Sequence, residues 1–362
     1  MPEATADRRG NEMRPIRIQK AEKNKKRGNR GGIYLLAFLF PVLIFTLGFV
    51  LKGVYPFGEN SALVVDGVHQ YTAFYRELSE QLGKGTGWTW SAHAMGYNFY
   101  GLFCYYLCSP FSFLILLFMK FMYVNEAVTA VILIKAGLCS VSMAWYSGKK
   151  YPGRGSMAVS LGCMYALSDF FIGYYSNVMW LDCIMLLPVL AYLIEQLVHT
   201  GKMARVLSVA GAGLAGITLI PGIAAVSRTA AAEEAGTGLS GVYGDIWKQL
   251  GALFEDSLSF VKSGDQGDVN LYCGCAVLLF AGIYFLNKEI RTAEKIVTGI
   301  LSVLYFAGIH ITALNLLFHG LHKPVGIPNR FVFILIFLLL KMSCDAWGNV
   351  ENESTGRIFL PD

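Results

Sequence analysis

Residues 31–51 read GGIYLLAFLFPVLIFTLGFVL, an uncharged and strongly apolar run. A helix of about 20 apolar residues is what the hydrocarbon core of a bilayer requires. The run predicts a membrane span, and with it the class of the fold. Directly upstream lie Arg8, Arg9, Arg14, Arg17, Lys20, Lys23, Lys25, Lys26, Arg27 and Arg30. A cationic block against a first span holds its end in the cytoplasm. A nucleic-acid-binding arm is the competing reading of such a tail, but no aromatics interleave with these charges and the block abuts a span. No small-x-small cleavage pattern follows the run, so it is expected to stay as an uncleaved signal anchor.

Outward from this segment the same composition continues. Apolar residues make up 54% of the 362 residues, charged residues 15%, and the mean hydropathy is +0.47. A soluble domain carries roughly 25% charged residues, so a soluble fold of this size is excluded. Apolar runs bounded by charge, Gly or Pro lie near 33–51, 127–146, 156–175, 180–198, 204–226, 271–287, 296–318 and 330–346. The fold class is therefore all-α: a polytopic helical bundle of about eight transmembrane helices plus interfacial or re-entrant helices. Residues 1–32 form a basic tail expected to be disordered, 33–346 the transmembrane domain, and 347–362 a second tail.

One segment is ambiguous. Tyr100 to Met119 is long enough to cross, yet it is interrupted at Ser109-Pro110 and crowded with aromatics at its start. If it crosses, Lys149, Lys150 and Arg154 fall outside, against the positive-inside rule. If it lies at the interface or re-enters, these residues, Lys202/Arg205 and Lys288/Arg291/Lys295 all share the cytoplasmic side with the N-terminus. The second topology is adopted, with both chain ends inside and outer loops at 52–126, 227–270 and 319–330. In the first of these, Trp88 and Trp90 suit packing near the headgroups. The Gly- and Ala-rich run 204–226 suits close helix packing.

Familiar soluble-enzyme signatures are missing: there is no phosphate loop, no Rossmann glycine pattern, no Gly-x-Ser-x-Gly and no His-Glu-x-x-His. The eight cysteines include the close pairs Cys104/Cys108 and Cys273/Cys275, neither with the partner cluster of a zinc site, and they read as apolar packing residues. No metal ligand set and no cofactor is predicted.

The sharpest local feature is PFGENSALVVDGVHQYTAFYREL at 56–78, where Asp66 follows a short apolar stretch just beyond the first span. It resembles the first outer loop of the YfhO family of bacterial membrane proteins, whose Gly-x-x-Ser-x-Leu-x-x-Asp-x-x-x-Gln-Tyr pattern is met by Gly58, Ser61, Leu63, Asp66, Gln70 and Tyr71. Further matches follow in order: YYLCSPFSFLILLF at 105–118, YALSDFFIGYYSNVMWLDCIMLLP at 165–188, NLYCGCAVLLFAGIYFLNK at 270–288 and HGLHKPVGIPNRFVF at 319–333. Members are usually longer, and the helices expected around Gly201 are missing, which leaves a shortened relative or a noncatalytic remnant as readings.

The resemblance implies a multi-span GT-C type glycosyltransferase of the bacterial plasma membrane. Such an enzyme takes a sugar from a polyprenyl-phosphate carrier and passes it to a cell-envelope acceptor such as teichoic acid. Its partners would be membrane lipid, the lipid-linked sugar and that acceptor, with no nucleic acid. A carboxylate just outside the first span is well placed to take the proton of an attacking hydroxyl, which makes Asp66 the candidate catalytic base. The competing reading is that Asp66 caps the helix starting near Gly67. Gln70, at i+4, shares its face, with Tyr71 beside it, and His69 reads as a solvated loop residue.

A departing phosphate needs a cation, and the last outer loop offers His319, His322, Lys323 and Arg330. Arg330 is preferred for its bidentate donors, against the reading of a snorkelling interfacial cation. Asp182 at the outer end of one span and Lys135 within another are intramembrane charges. They would form either a pair that holds the bundle or part of the substrate site. A transporter or lipid translocator, with Lys135 and Asp182 lining its path, is the alternative from another class. The paired mechanism predicts Asp66 and Arg330 in one pocket, within about 15 Å.

Overall fold

The computed structural model describes residues 16–64, 66–84, 96–200, 220, 223–224, 241–254, 269–320 and 329–357. Helix α1 (Ile16–Leu51) leads through a loop into a π-helical turn, Gly67–Tyr71, that runs on as α2 (Thr72–Lys84). A short α3 (Phe99–Leu102), its π-helical extension Phe103–Leu107 and α4 (Pro110–Phe118) precede α5 (Val124–Lys150), α6 (Gly155–Ala166), α7 (Asp169–Tyr174) and α8 (Val178–Thr200). Then come α9 (Ile246–Gly251), α10 (Cys275–Leu286), α11 (Thr292–His310), α12 (Thr312–Phe318) and α13 (Val332–Arg357). The fold is all-α, and the described residues contain two isolated bridges, Val54 with Asn60 and Val242 with Ile311.

Among the described residues, five helical segments are long and apolar enough to cross a membrane: Gly31–Leu51, Val124–Lys150, Val178–Gln196, Thr292–His310 and Val332–Asn349. The other expected spans differ in form. Residues 156–175 are broken into α6 and α7 at Leu167-Ser168, and 296–318 into α11 and α12 at Ile311. The helix within 271–287 is the short Cys275–Leu286. The expected span 204–226 lies outside the described residues except at 220 and 223–224, and Trp88 and Trp90 lie outside them too. Helix α1 is already helical from Ile16, upstream of the apolar run, and α13 continues to Arg357.

The tertiary structure resolves the arrangement of the ambiguous segment. At one end of the bundle Ile33 and Tyr34 of α1 line a cavity with Gly148, Lys149 and Arg154. At the other end Val54, just past α1, lines a cavity with Val124 and Asn125. Helices α1 and α5 are thus antiparallel, and residues 52–123 leave and return at the same end. Between them Phe99–Leu107 and Pro110–Phe118 are bent by 97°. The local chemistry explains the bend: the Ser109 hydroxyl accepts from the Phe111 N–H at 3.2 Å and Pro110 opens the new helix, so the first helix cannot propagate.

Helix α5 is the hub, packing on α1, α4, α6 and α8. Small residues permit the approach. A Cβ on Gly162 would come 2.5 Å from the Ser140 carbonyl oxygen, so α6 meets the backbone of α5 directly. Helix α13 joins the halves of the chain, packing on α6, α7 and α8 on one side and on α10 and α11 on the other.

At the end of the bundle that holds Lys149, buried charges tie four helices together. The Lys150 ammonium lies 2.9 Å from Asp345 and 3.6 Å from Glu195, and Lys341 lies 2.9 Å from Asp345 and 3.0 Å from Glu294. The Tyr146 hydroxyl donates to Glu195 at 2.8 Å and Tyr151 to Asp345 at 3.3 Å. Local sequence gives no sign of this network, because its members sit on α5, α8, α11 and α13.

Candidate functional site

Asp66 stands at the head of the π-helical turn in ordinary helical conformation, and its side chain makes no capping hydrogen bond. The expected alternative, a helix cap, is not what this carboxylate does. Instead the Gln70 amide donates to Asp66 Oδ1 at 3.0 Å. The i+4 spacing brings the two side chains over one another. His69 beside them is exposed.

The segment before Asp66 is firmly seated. The Ser61 hydroxyl accepts from the Leu63 N–H at 3.1 Å, and the Tyr175 hydroxyl donates to the Ala62 carbonyl at 2.8 Å. Gly67 lies against Leu63 and Ser176: a Cβ there would come 3.1 Å from Leu63 Cβ and 3.4 Å from Ser176 Cβ. The turn at 174–178 therefore serves as the platform on which the Asp66 loop rests.

Tyr71 is buried and sets its ring edge-on to Tyr106 at 5.7 Å, while Phe74 and Tyr105 approach the same ring at 4.9 and 4.6 Å. Tyr106 comes from the bend between α3 and α4, so the bent pair supplies one wall of the site. Its phenol is pushed up to about 12, first by burial, then by the neighbouring Tyr105 and the Asp66 carboxylate, while the Arg330 guanidinium pulls the other way. Burial is likewise the main cause that raises Tyr71, with Tyr106, Tyr75 and Asp66 adding to it.

Arg330 precedes α13 and lies over the Trp180 ring, 5.5 Å from its centroid. Trp180 is itself stacked on Phe170 at 6.5 Å and packed on Tyr174 at 5.6 Å. The aromatic face holds the planar guanidinium in one orientation at this end of the bundle. His319 donates through Nδ1 to the Asn315 carbonyl at 2.7 Å and meets the Phe331 ring at 5.6 Å, one residue from Arg330. His322 and Lys323 lie outside the described residues.

Below this layer Asp182 lies 2.7 Å from the buried Lys135 ammonium. The contact qualifies as an ion pair by distance, although that Asp182 oxygen meets no hydrogen-bond geometry. Lys135 also donates to the Val178 carbonyl at 2.9 Å and faces the Phe111 ring at 4.9 Å. Of the two roles open to these charges, the structure displays the pair that joins α5 to α8. Tyr75 connects this pair upward: burial pushes its phenol up to about 12, the Ser112 hydroxyl lowers it and the Asp182 charge raises it.

Sequence reasoning missed Tyr106, Tyr75 and the Trp180 platform. The signal available for Tyr106 was the aromatic crowding at the start of the ambiguous segment. Among the described residues no group of three or more His, Cys, Asp or Glu side chains is arranged to hold a metal ion.

A helical bundle with apolar spans, a carboxylate and a guanidinium at one end, and aromatic walls between them defines a polytopic integral membrane protein. The sequence profile described as bacterial membrane protein YfhO matches residues 37–207 and 204–361, and the chain belongs to that family. No curated protein and no solved structure matches the chain.

Proposed function

We propose that the protein transfers a sugar from a polyprenyl-phosphate carrier to a cell-envelope polymer or lipid, such as teichoic acid, at the outer face of the bacterial plasma membrane. In this reading the N-terminus is cytoplasmic and the Asp66 end of the bundle faces outward. The acceptor hydroxyl loses its proton to Asp66 as its oxygen bonds to the anomeric carbon. The bond from that carbon to the phosphate oxygen breaks, and the polyprenyl phosphate departs with the electron pair, its charge met by Arg330. Gln70 orients the carboxylate. Tyr71, Asp182, His319 and His322 line or support the substrate site.

The observation that carries this reading is that the Asp66 turn and Arg330 dock on one short stretch, 176–180: a Cβ on Gly67 would come 3.4 Å from Ser176 Cβ, and the Arg330 guanidinium lies 5.5 Å from the Trp180 ring centroid. A base and a cation gathered on one turn are what a displacement at a sugar carbon needs. The Lys135–Asp182 pair speaks against the transporter alternative, since each charge already has its partner in a closed contact. Membranes containing the protein and a radiolabelled polyprenyl-phosphate sugar should produce labelled envelope polymer. Transfer undiminished in Asp66→Asn would remove Asp66 from the mechanism, and label that crosses vesicles without covalent change would replace the reading with transport.

A further inference from the structure

The cavity at the Val54–Val124 end, of about 300 Å³, opens between the loop at 54–62 and the start of α5, and none of Asp66, Gln70, Tyr71, Tyr106 and Arg330 lines it. Its charged lining is Glu59, Arg76 and Glu126, the last of which accepts from the Tyr123 N–H at 3.0 Å, and Tyr55, Tyr123, Asn125 and Thr129 also line it. Both tyrosines are exposed, 55% and 79% respectively. Glu59 and Arg76 are exposed as well, and among the described residues neither has an ion-pair partner. The volume lies at the lower end of the roughly 300–1,000 Å³ typical of small-molecule sites.

The lining is informative about ligand class. Two carboxylates and one guanidinium line the cavity, so a simple anion is disfavoured and a neutral ligand that both donates and accepts can meet all three. The lining offers both donors and acceptors, and a hydroxyl, which donates once and accepts twice, satisfies both kinds. Exposed tyrosines offer apolar faces with a polar tip, which suits the mixed C–H and O–H surface of a sugar ring. Position matters too. Ala62 is in the cavity wall and Asp66 is four residues further along the same chain, so their Cα atoms are at most about 14 Å apart.

We infer that this cavity binds a hydroxyl-rich acceptor, a sugar or polyol unit, with Glu59 and Arg76 hydrogen-bonding its hydroxyls and Tyr55 and Tyr123 packing on its ring, so that a neighbouring unit reaches Asp66. The inference rests on the transferase reading for its biological sense, but binding is measured without any transfer. A free glycan and the headgroup of a glycolipid present the same chemistry.

The test is saturation-transfer NMR on the full chain in nanodiscs. The soluble probes are methyl glucoside, methyl galactoside and sorbitol, and a parallel arm carries glucosyl diacylglycerol in the disc. At least one probe should receive saturation from wild type and from Asp66→Asn. Arg76→Ala or Glu59→Gln, both at exposed positions where folding is not at stake, should reduce that signal at least fivefold. Signal in the soluble arm, the lipid arm or both supports the site and identifies the source. The inference is overturned if no probe binds in either arm, if both substitutions leave the signal intact, or if Asp66→Asn abolishes it, since the sugar would then sit at Asp66. Absent transfer activity with this binding pattern intact would sink the transferase reading alone.

Discussion

The Gln70 amide donates to the Asp66 carboxylate at 3.0 Å, one helical turn apart, and no backbone N–H of the helix start competes for that oxygen. A base whose orientation depends on one neutral donor should be sensitive to that donor. Gln70→Ala should lower the rate of sugar transfer about tenfold with little change in donor affinity. Asp66→Asn should lower it about 100-fold or more, the usual scale of a lost general base. Gln70→Glu, which sets a second carboxylate beside the first, should be worse than Gln70→Ala. Initial rates with a labelled donor, fitted for kcat and KM, decide it, and equal rates for wild type and Gln70→Ala would dissociate Gln70 from the base.

Arg330 lies 5.5 Å from the Trp180 centroid, and Trp180 is in turn backed by Phe170 and Tyr174. Such a stack suits a planar guanidinium better than a mobile ammonium. Arg330→Lys should therefore fail to restore activity, falling within about threefold of Arg330→Ala. Trp180→Leu should keep the charge and lose about tenfold, chiefly in kcat. Full activity of Arg330→Lys would mean that charge alone suffices and that the stack has no catalytic consequence.

Lys135 is almost completely buried and paired with Asp182 at 2.7 Å, with the Val178 carbonyl and the Phe111 ring completing its shell. Removing one member of a buried pair strands the other. Lys135→Met should cost on the order of 3 kcal/mol, seen as a lowered thermal midpoint of the purified protein. The double substitution Lys135→Met with Asp182→Leu should recover most of that loss. A double variant no more stable than the single would show that the lysine matters by packing and not by charge.

Helices α1 and α5 run antiparallel, with Ile33 beside Arg154 at one end and Val54 beside Val124 at the other. If the proposed orientation, N-terminus in the cytoplasm, holds, a membrane-impermeant thiol reagent should label a cysteine at position 84 in intact cells. It should not label one at the exposed position Pro152, in a background stripped of the eight native cysteines. Position 152 is chosen because Lys150 itself is engaged with Asp345. Labelling at 152 and not at 84 would reverse the protein in the membrane and move the Asp66 site to the inner face.

Much of this architecture is legible in local sequence. The uncharged run at 31–51 becomes the apolar part of α1, and the Val124–Lys150 and Val332–Asn349 segments are helices of spanning length where apolar runs predict them. The reason is that lipid penalises every unpaired polar group, so composition over about 20 residues decides whether a segment can lie in it. The Asp66–Gln70 contact was legible for a similar reason, since i+4 spacing on a helical turn implies proximity whatever the remainder of the fold does.

Other features were decided only by packing. For Tyr100 to Met119 the loop charges favour a segment that does not cross, while its own length permits either outcome, and how it bends is a matter of packing. The antiparallel docking of α5 on α1 and the bend of 97° at Ser109-Pro110 together return the chain to the end it left. Lys135 and Asp182 were each visible as charges in apolar runs. Their pairing depends on how far α5 and α8 are rotated and at what height they meet, and so does the network of Lys150, Lys341 and Asp345. The Tyr106 phenol is the strongest instance. It packs against Tyr71 and Phe74, more than 30 residues earlier in the chain, because a hairpin between two spans folds back over the head of α2. Local sequence specifies what each segment tolerates as solvent, whereas the choice of neighbours is a property of side-chain fit between helices distant along the chain.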